Sequence, residues 1–318
     1  MAFAACGTPK DTVAAIVETA SPPATTSAIP DPAAVAANEL GLVPVLMYHQ
    51  LTPSPASEYD QTPEEFRLEL ERLHHENYRP VTAADYLSGR IDLPAGTHPV
   101  VLTFDDSTRS QLRFADDGKV VSDTAIGILN DFAARNPDFE PRATFYVNNE
   151  PFGNDSRALP WLAEHGYEIG AHTASHADLA SLDATGVQRE LVENVRVIKS
   201  AAPRNDLRTM ALPLGVFPTD HALATEGSWD GTPYKFDAVM LVGAQPAPSP
   251  FGEIDRWAIP RIRSGNGEVP FDSAYWLDRL AENPDQRYTA DGDPNTVSFP
   301  KSLAGELGSA QSLHTNAY

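Results

Sequence analysis

The chain has 318 residues, 42% of them hydrophobic, with one cysteine and a formal charge of −21. This length and apolar fraction supply the core of one large α/β domain or two small ones, and no run reaches the length of a membrane span. The charge excludes a nucleic-acid partner, which would require clustered Lys and Arg; it suits a neutral or cationic ligand, or serves solubility alone.

In chain order the first feature is Cys6, in Phe3-Ala4-Ala5-Cys6-Gly7. A lone cysteine forms no internal disulfide. Small residues before a cysteine near the start resemble the end of a bacterial lipoprotein signal, with Cys6 as the lipidated residue and the hydrophobic stretch before it missing. A chance cysteine in an Ala-rich start is the other reading. From Gly7 to about Gly41 the sequence is rich in Ala, Thr, Ser and Pro and lacks aromatics, which predicts a disordered stalk. Residues 1–42 are therefore assigned to signal end and linker, and 43–318 to a single domain. A lipid anchor is the only membrane contact expected, and the location expected is extracellular or at the cell surface.

Order is expected to begin with a buried strand at 43–48, Val-Pro-Val-Leu-Met-Tyr, which His49 terminates. Thr62-Pro63-Glu64-Glu65 opens a helix with a cap residue, a first-position proline and early carboxylates. A second apolar strand at 100–104 ends on Asp105-Asp106, a helix covers about 122–135, and a third strand covers 143–147. A short helix is expected at 161–165, extended chain at 168–170 and a long helix at about 185–200. Further strands are expected near 209–212, 238–242 and 257–262, with a last helix over 271–281. Strands alternating with helices predict a mainly parallel sheet, and this many units points towards a barrel whose site lies at the C-terminal strand ends.

Asp105-Asp106 leaves a strand where successive side chains point in opposite directions, so one carboxylate can serve a metal and the other a proton. A helix cap or turn starting at Ser107 is the bland reading of the same pair. His172-Thr173-Ala174-Ser175-His176 places two imidazoles on one face if the segment is helical. Two His and one carboxylate suit zinc or another borderline divalent cation and leave positions open for water and substrate.

These residues carry a resemblance. Thr103-Phe104-Asp105-Asp106 followed by His172-Thr173-Ala174-Ser175-His176 resembles the first two motifs of the polysaccharide deacetylase family, the NodB-homology domain of carbohydrate esterase family 4. The resemblance runs from about Val43 to Ile262. It implies a distorted, partly open (β/α) barrel and the hydrolysis of N-acetyl, or sometimes O-acetyl, groups on sugars. It implies Asp105 as general base and Asp106, His172 and His176 as ligands of a divalent metal, zinc by default. The partner implied is an acetylated polysaccharide or oligosaccharide acted on by a monomer.

The chain departs from the family pattern in two places. The third motif, Arg-x-Pro-aromatic-Gly, is here Ala211-Leu212-Pro213-Leu214-Gly215. Pro213 and the backbone N–H of Leu214 remain for the oxyanion, but the arginine that orients the catalytic Asp is gone. Arg261 is its candidate replacement by position after a strand, the alternative being an ordinary structural arginine. The C-terminal Leu-x-His motif of the general acid also has no clean match, and His314 reads as solvated. His49 is the candidate acid, since a Tyr-His there is similar to the poly-N-acetylglucosamine deacetylase branch; a capping role is the alternative. Ser107 replaces a glycine often found after the Asp pair.

Two other classes compete. A sugar-binding surface lipoprotein without turnover would explain the degraded motifs, though it has no need for a base beside an ion. A serine esterase would need a Gly-x-Ser-x-Gly elbow, which the chain lacks.

Overall fold

The computed structural model describes residues 1–4, 29–308 and 313–318. Cys6 and most of the predicted stalk lie outside the described residues. The elements run β1 (Val45–Tyr48), α1 (Pro63–His75), β2 (Tyr78–Val81), α2 (Ala83–Ser88), β3 (His98–Phe104), α3 (Ala125–Arg135), β4 (Thr144–Val147), α4 (Ala158–Glu164) and β5 (Glu168–Ala171). They continue with α5 (Ala184–Ala201), β6 (Thr209–Ala211), β7 (Glu226–Trp229), β8 (Thr232–Lys235), β9 (Ala238–Met240), β10 (Ile262–Arg263), α6 (Ser273–Glu282), β11 (Thr296–Phe299) and β12 (His314–Ala317).

Eight strands form one sheet in the order β10-β1-β3-β4-β5-β6-β9, all parallel, with β2 also paired to β3. The seven residues of β3 serve two neighbours along one edge: β2 pairs with His98 to Val101, and β4 with Thr103 and Phe104. The ends of the sheet curl towards each other, because Met240 bridges to Ile259 and Ala244 to Ile262, just before and within β10. The result is the distorted, partly open (β/α) barrel expected from the sequence.

Side-chain alternation along the strands divides the core in two. Leu46, Leu102, Phe145, Ile169 and Met210 face outward under the helices, whereas Val45, Val101, Tyr146, Ala211 and Met240 face the inner core. Gly170 is required by this inner packing, since a Cβ there would sit 2.4 Å from the Tyr146 ring. The α1 terminus forms as predicted: Thr62 Oγ1 accepts the Glu65 N–H at 3.1 Å, and Glu65 Oε2 accepts the Thr62 N–H at 2.7 Å.

Two expectations need correction. The linker does not extend to residue 42, because residues 32–35 form a 3₁₀ turn, Asn38 bridges to Thr289, and Glu39 is buried. The strand expected over 257–262 shrinks to Ile262–Arg263, since Pro260 lacks the N–H that a ladder needs. His98 begins β3 and is buried; its Nδ1 lies 2.8 Å from the Tyr288 carbonyl oxygen. The last residues also form a strand, in which His314 is exposed and pairs with Thr296. Among the described residues no helix is long and apolar enough to cross a membrane.

Candidate active site

The inward parity of three strands carries past their ends. Val45 and Met47 lead to His49, Val101 and Thr103 to Asp105, and Gly170 to His172, so three strands deliver these side chains to one mouth of the barrel. Gln111, fully buried, ties two of these ends together by donating to the His49 carbonyl at 2.8 Å and to the Asp105 carbonyl at 2.5 Å. The same mouth is an open cleft of about 350 Å³, lined by His49, Asp105, Asp106, His172, His176 and Leu214 among others.

Asp106, His172 and His176 present ligand atoms that all lie within 4.8 Å of one another, the only such group among the described residues. Asp106 Oδ1 is 3.5 Å from Nε2 of each histidine. The two rings come together without a helix: residues 172–176 form a loop with positive φ at Thr173 and His176, which corrects the helical-face reading. Glu190 of α5 holds that loop, accepting the Ser175 N–H at 2.9 Å and its hydroxyl at 3.0 Å. Asn148 donates to the His172 carbonyl at 2.6 Å, and the Asn194 side chain accepts the His172 N–H at 3.2 Å. None of these three was singled out in the sequence, since a polar residue in the loop after a strand, like Asn148, or buried on a helix, like Glu190 and Asn194, carries no local signature.

The donor chemistry fits a cation. His172 Nδ1 lies 2.8 Å from the Ala211 carbonyl oxygen, so Nδ1 carries the proton and Nε2 keeps its lone pair. That Nε2 is buried and has no hydrogen-bond partner, an orphan that a bound cation would satisfy.

Asp105 is 1% exposed and sits on the fully buried Arg261. Arg261 Nη1 donates to Oδ1 and Nη2 to Oδ2, both at 2.7 Å, while Nε donates to the Leu241 carbonyl at 2.7 Å. Nη1 also donates to Thr103 Oγ1 at 3.1 Å. Burial pushes the Asp105 carboxyl up, but the Arg261 guanidinium and then His172 hold it well below the usual carboxylate range. Arg261, immediately before β10 rather than after a strand, reaches Asp105 from 156 residues away. Asp105 Oδ2 also lies 4.0 Å from His172 Nε2, next to the ligand cluster.

His49 lines the cleft as expected. Burial lowers its pKa, against the pull of Asp105 and Asp106, and its Nδ1 is enclosed without a partner. Leu214 is 59% exposed in the cleft wall with φ +58, while Pro213 is buried beneath it. Asp106, Ser107, Thr173, His176 and Leu214 all take positive φ, a concentration of strained backbone at a single cleft. Ser107 at φ +46 explains why a glycine is common there; the serine side chain accepts the Asn148 N–H at 3.3 Å.

Residues 92–227 match the family model described as Polysaccharide deacetylase. This segment contains the Asp pair, both histidines and the Pro213-Leu214 turn. Residues 92–227 belong to the polysaccharide deacetylase family. Curated relatives include a chitooligosaccharide deacetylase of Rhizobium leguminosarum bv. phaseoli, 33% identical over 76 residues, covering 24% of this chain and 33% of that protein. A chitin deacetylase of Pestalotiopsis sp. is 36% identical over 55 residues, 16% of this chain and 18% of that protein. The chain therefore spans about a third or less of the length of these deacetylases.

Among solved structures, the deacetylase PplD of Streptococcus pyogenes, in complex with acetate, has a TM-score of 0.53 at 19% identity. It is matched over 78% of this chain and 99% of its own. A polysaccharide deacetylase from Bacillus cereus has a TM-score of 0.55 at 16% identity, over 76% of this chain and 68% of its own. At these identities the likeness is one of fold: the curled barrel is the polysaccharide deacetylase barrel.

Proposed function

We propose that this protein removes acetyl groups from a polysaccharide or oligosaccharide by hydrolysis, with N-acetyl as the principal linkage and O-acetyl as a second. The observation that carries the reading is Asp105, fixed in two hydrogen bonds to buried Arg261 and set 4.0 Å from the orphaned Nε2 of His172. A sugar-binding protein without turnover has no use for a carboxylate held in that place.

Asp106, His172 and His176 would hold a divalent cation, zinc being the default for two imidazoles and a carboxylate. When bound, such a cation supplies Lewis acidity to the acetyl carbonyl and lowers the pKa of water. Asp105 takes the proton of the attacking water, and Arg261 keeps it ionised and aimed. As the water oxygen bonds to the carbonyl carbon, the carbonyl oxygen gains charge that the Leu214 N–H stabilises by hydrogen bonding. Leu214, in a left-handed turn after buried Pro213, lines the cleft, from where its N–H would serve the oxyanion. Collapse breaks the C–N bond, and His49 protonates the leaving nitrogen; acetate and a free amino sugar result. Burial lowers the pKa of His49, which favours release of its proton to the leaving nitrogen. The substrate class agrees with work at the cell surface, where the Cys6 reading also places the protein.

The test is acetate release from N-acetylglucosamine oligomers, acetylated xylan and peptidoglycan by zinc-reconstituted protein, with and without chelator. Release that the chelator abolishes is the expected result. Sugar binding with no acetate from any of these polymers would favour the binding protein instead.

A further inference from the structure

Residues 52–61, between β1 and α1, form a strap of which Ser57, Tyr59 and Asp60 line the cleft. Its neck is closed by the Thr52 N–H donating to the Gln61 carbonyl at 2.8 Å and the Gln61 N–H to the Gln50 carbonyl at 3.0 Å. Inside it the Asp60 carboxylate accepts the Ala56 and Ser57 N–H groups at 3.0 and 3.2 Å, and Ser57 Oγ accepts the Tyr59 N–H at 3.2 Å. Residues 53–58 are all exposed, so the strap adds nothing to the core and is nevertheless internally cross-bonded.

Tyr59, half-buried like Thr52 and Asp60, lines the cleft. The Tyr59 ring centroid is 5.0 Å from that of His49, and the Arg263 guanidinium lies 5.5 Å from the same ring. Arg263 is in turn held by Glu58 of the strap at 2.6 Å. The cleft is also lined by Leu212, exposed Leu214 and Val242, and its charged members are Asp60, Asp105 and Asp106 with the two ligand histidines and His49. Aromatic and aliphatic walls around a floor of carboxylates and imidazoles match a ring with one apolar C–H face and polar edges. A phosphate or sulfate ligand would meet three carboxylates there.

We infer that Tyr59 is a specificity-determining residue that receives the apolar face of a neutral pyranose ring, namely the sugar whose acetyl group enters the site. This rests on the deacetylase reading and extends it to the residue that recognises the sugar. Arg263 and the strap's own hydrogen bonds fix the ring in advance, which lowers the entropic cost of binding.

The experiment compares wild type, Tyr59→Phe and Tyr59→Ala on an N-acetylglucosamine tetramer and on 4-nitrophenyl acetate, which has no sugar ring. Calorimetry of tetramer binding runs beside the kinetics. Tyr59→Ala is expected to raise KM and weaken tetramer binding by roughly tenfold, the size of one aromatic packing contact, with kcat and ester turnover unchanged. Tyr59→Phe is expected to stay near wild type, since the ring face and not the hydroxyl is used. A fall in kcat on the tetramer with KM and tetramer binding unchanged in Tyr59→Ala would mean that the ring only props His49, and would overturn the inference. Unweakened tetramer binding in Tyr59→Ala would overturn it as well. Should wild type release no acetate at all, the deacetylase reading fails, while calorimetry on the three proteins still decides the role of Tyr59.

Discussion

Arg261 and Asp105 are each almost completely withdrawn from water, so neither tolerates loss of the other. Arg261→Met leaves a buried carboxylate without its counter-charge, which is expected to cost about 3–5 kcal/mol in chemical denaturation and to abolish turnover. Replacing both, as Asp105→Leu with Arg261→Met, is expected to recover most of the stability and none of the activity; activity in the pair would remove Asp105 from the chemistry. For His49 the expectation is kinetic: His49→Ala keeps fold and metal binding and slows turnover by about two to four orders of magnitude. The loss is smaller on an ester with a good leaving group, which needs less protonation, so equal losses on activated and unactivated esters would leave His49 a structural role. The Asp pair, the histidine pair and His49 were legible in the sequence because their spacing and strand-end position are local. Arg261 was legible only as one of two readings, an orienting or an ordinary structural arginine, because its contact with Asp105 closes the barrel across 156 residues and no local pattern encodes it.

Among the elements, α1 depends on its reciprocal cap, and Thr62→Ala is expected to lower stability by about 1 kcal/mol in denaturant titration. No change would mean that α1 is held by Phe66, Leu70 and Leu73 alone. The strands read correctly from sequence are those whose buried parallel pairing demands continuous apolar runs, such as β3 and β4. β2 was missed because Tyr78-Arg79-Pro80-Val81 holds a charge and a proline, although it pairs with β3 along its whole length. β12 was missed because it is exposed at every position and has no apolar alternation to reveal it. The His172–His176 spacing suggested a helix, but two left-handed residues in a loop achieve the same convergence.

At the scale of the molecule, the chain near the start of the described core is tied to the chain near its end. Glu39 accepts the Ser298 N–H at 2.8 Å and the Tyr288 hydroxyl at 3.1 Å. Burial pushes its carboxyl up to about 8. Its folded pKa thus exceeds the unfolded value, so the folded state holds the extra proton. The stability carried by neutral Glu39 is complete below the unfolded pKa of about 4.5 and is lost as pH rises through about 8. His98 works in the opposite direction, because burial and then Arg287 lower its pKa to about 4, so its contribution is lost as pH falls from about 6.5 through that value. Thermal unfolding should therefore show a midpoint that declines on both sides of the mildly acidic range, with Glu39→Gln flattening the alkaline side. An unchanged alkaline slope in that variant would show that Glu39 is not the group responsible.

The division of labour between the two adjacent carboxylates is the centre of the account. It is tested most directly by measuring metal content and acetate release together on zinc-reconstituted wild type, Asp105→Asn and Asp106→Asn. Wild type should carry about one equivalent of divalent cation, as one three-ligand site implies, and release acetate. Asp105→Asn should keep the cation and lose the rate, and Asp106→Asn should lose both. Equal metal content in the two variants, or full turnover by Asp105→Asn, would contradict it.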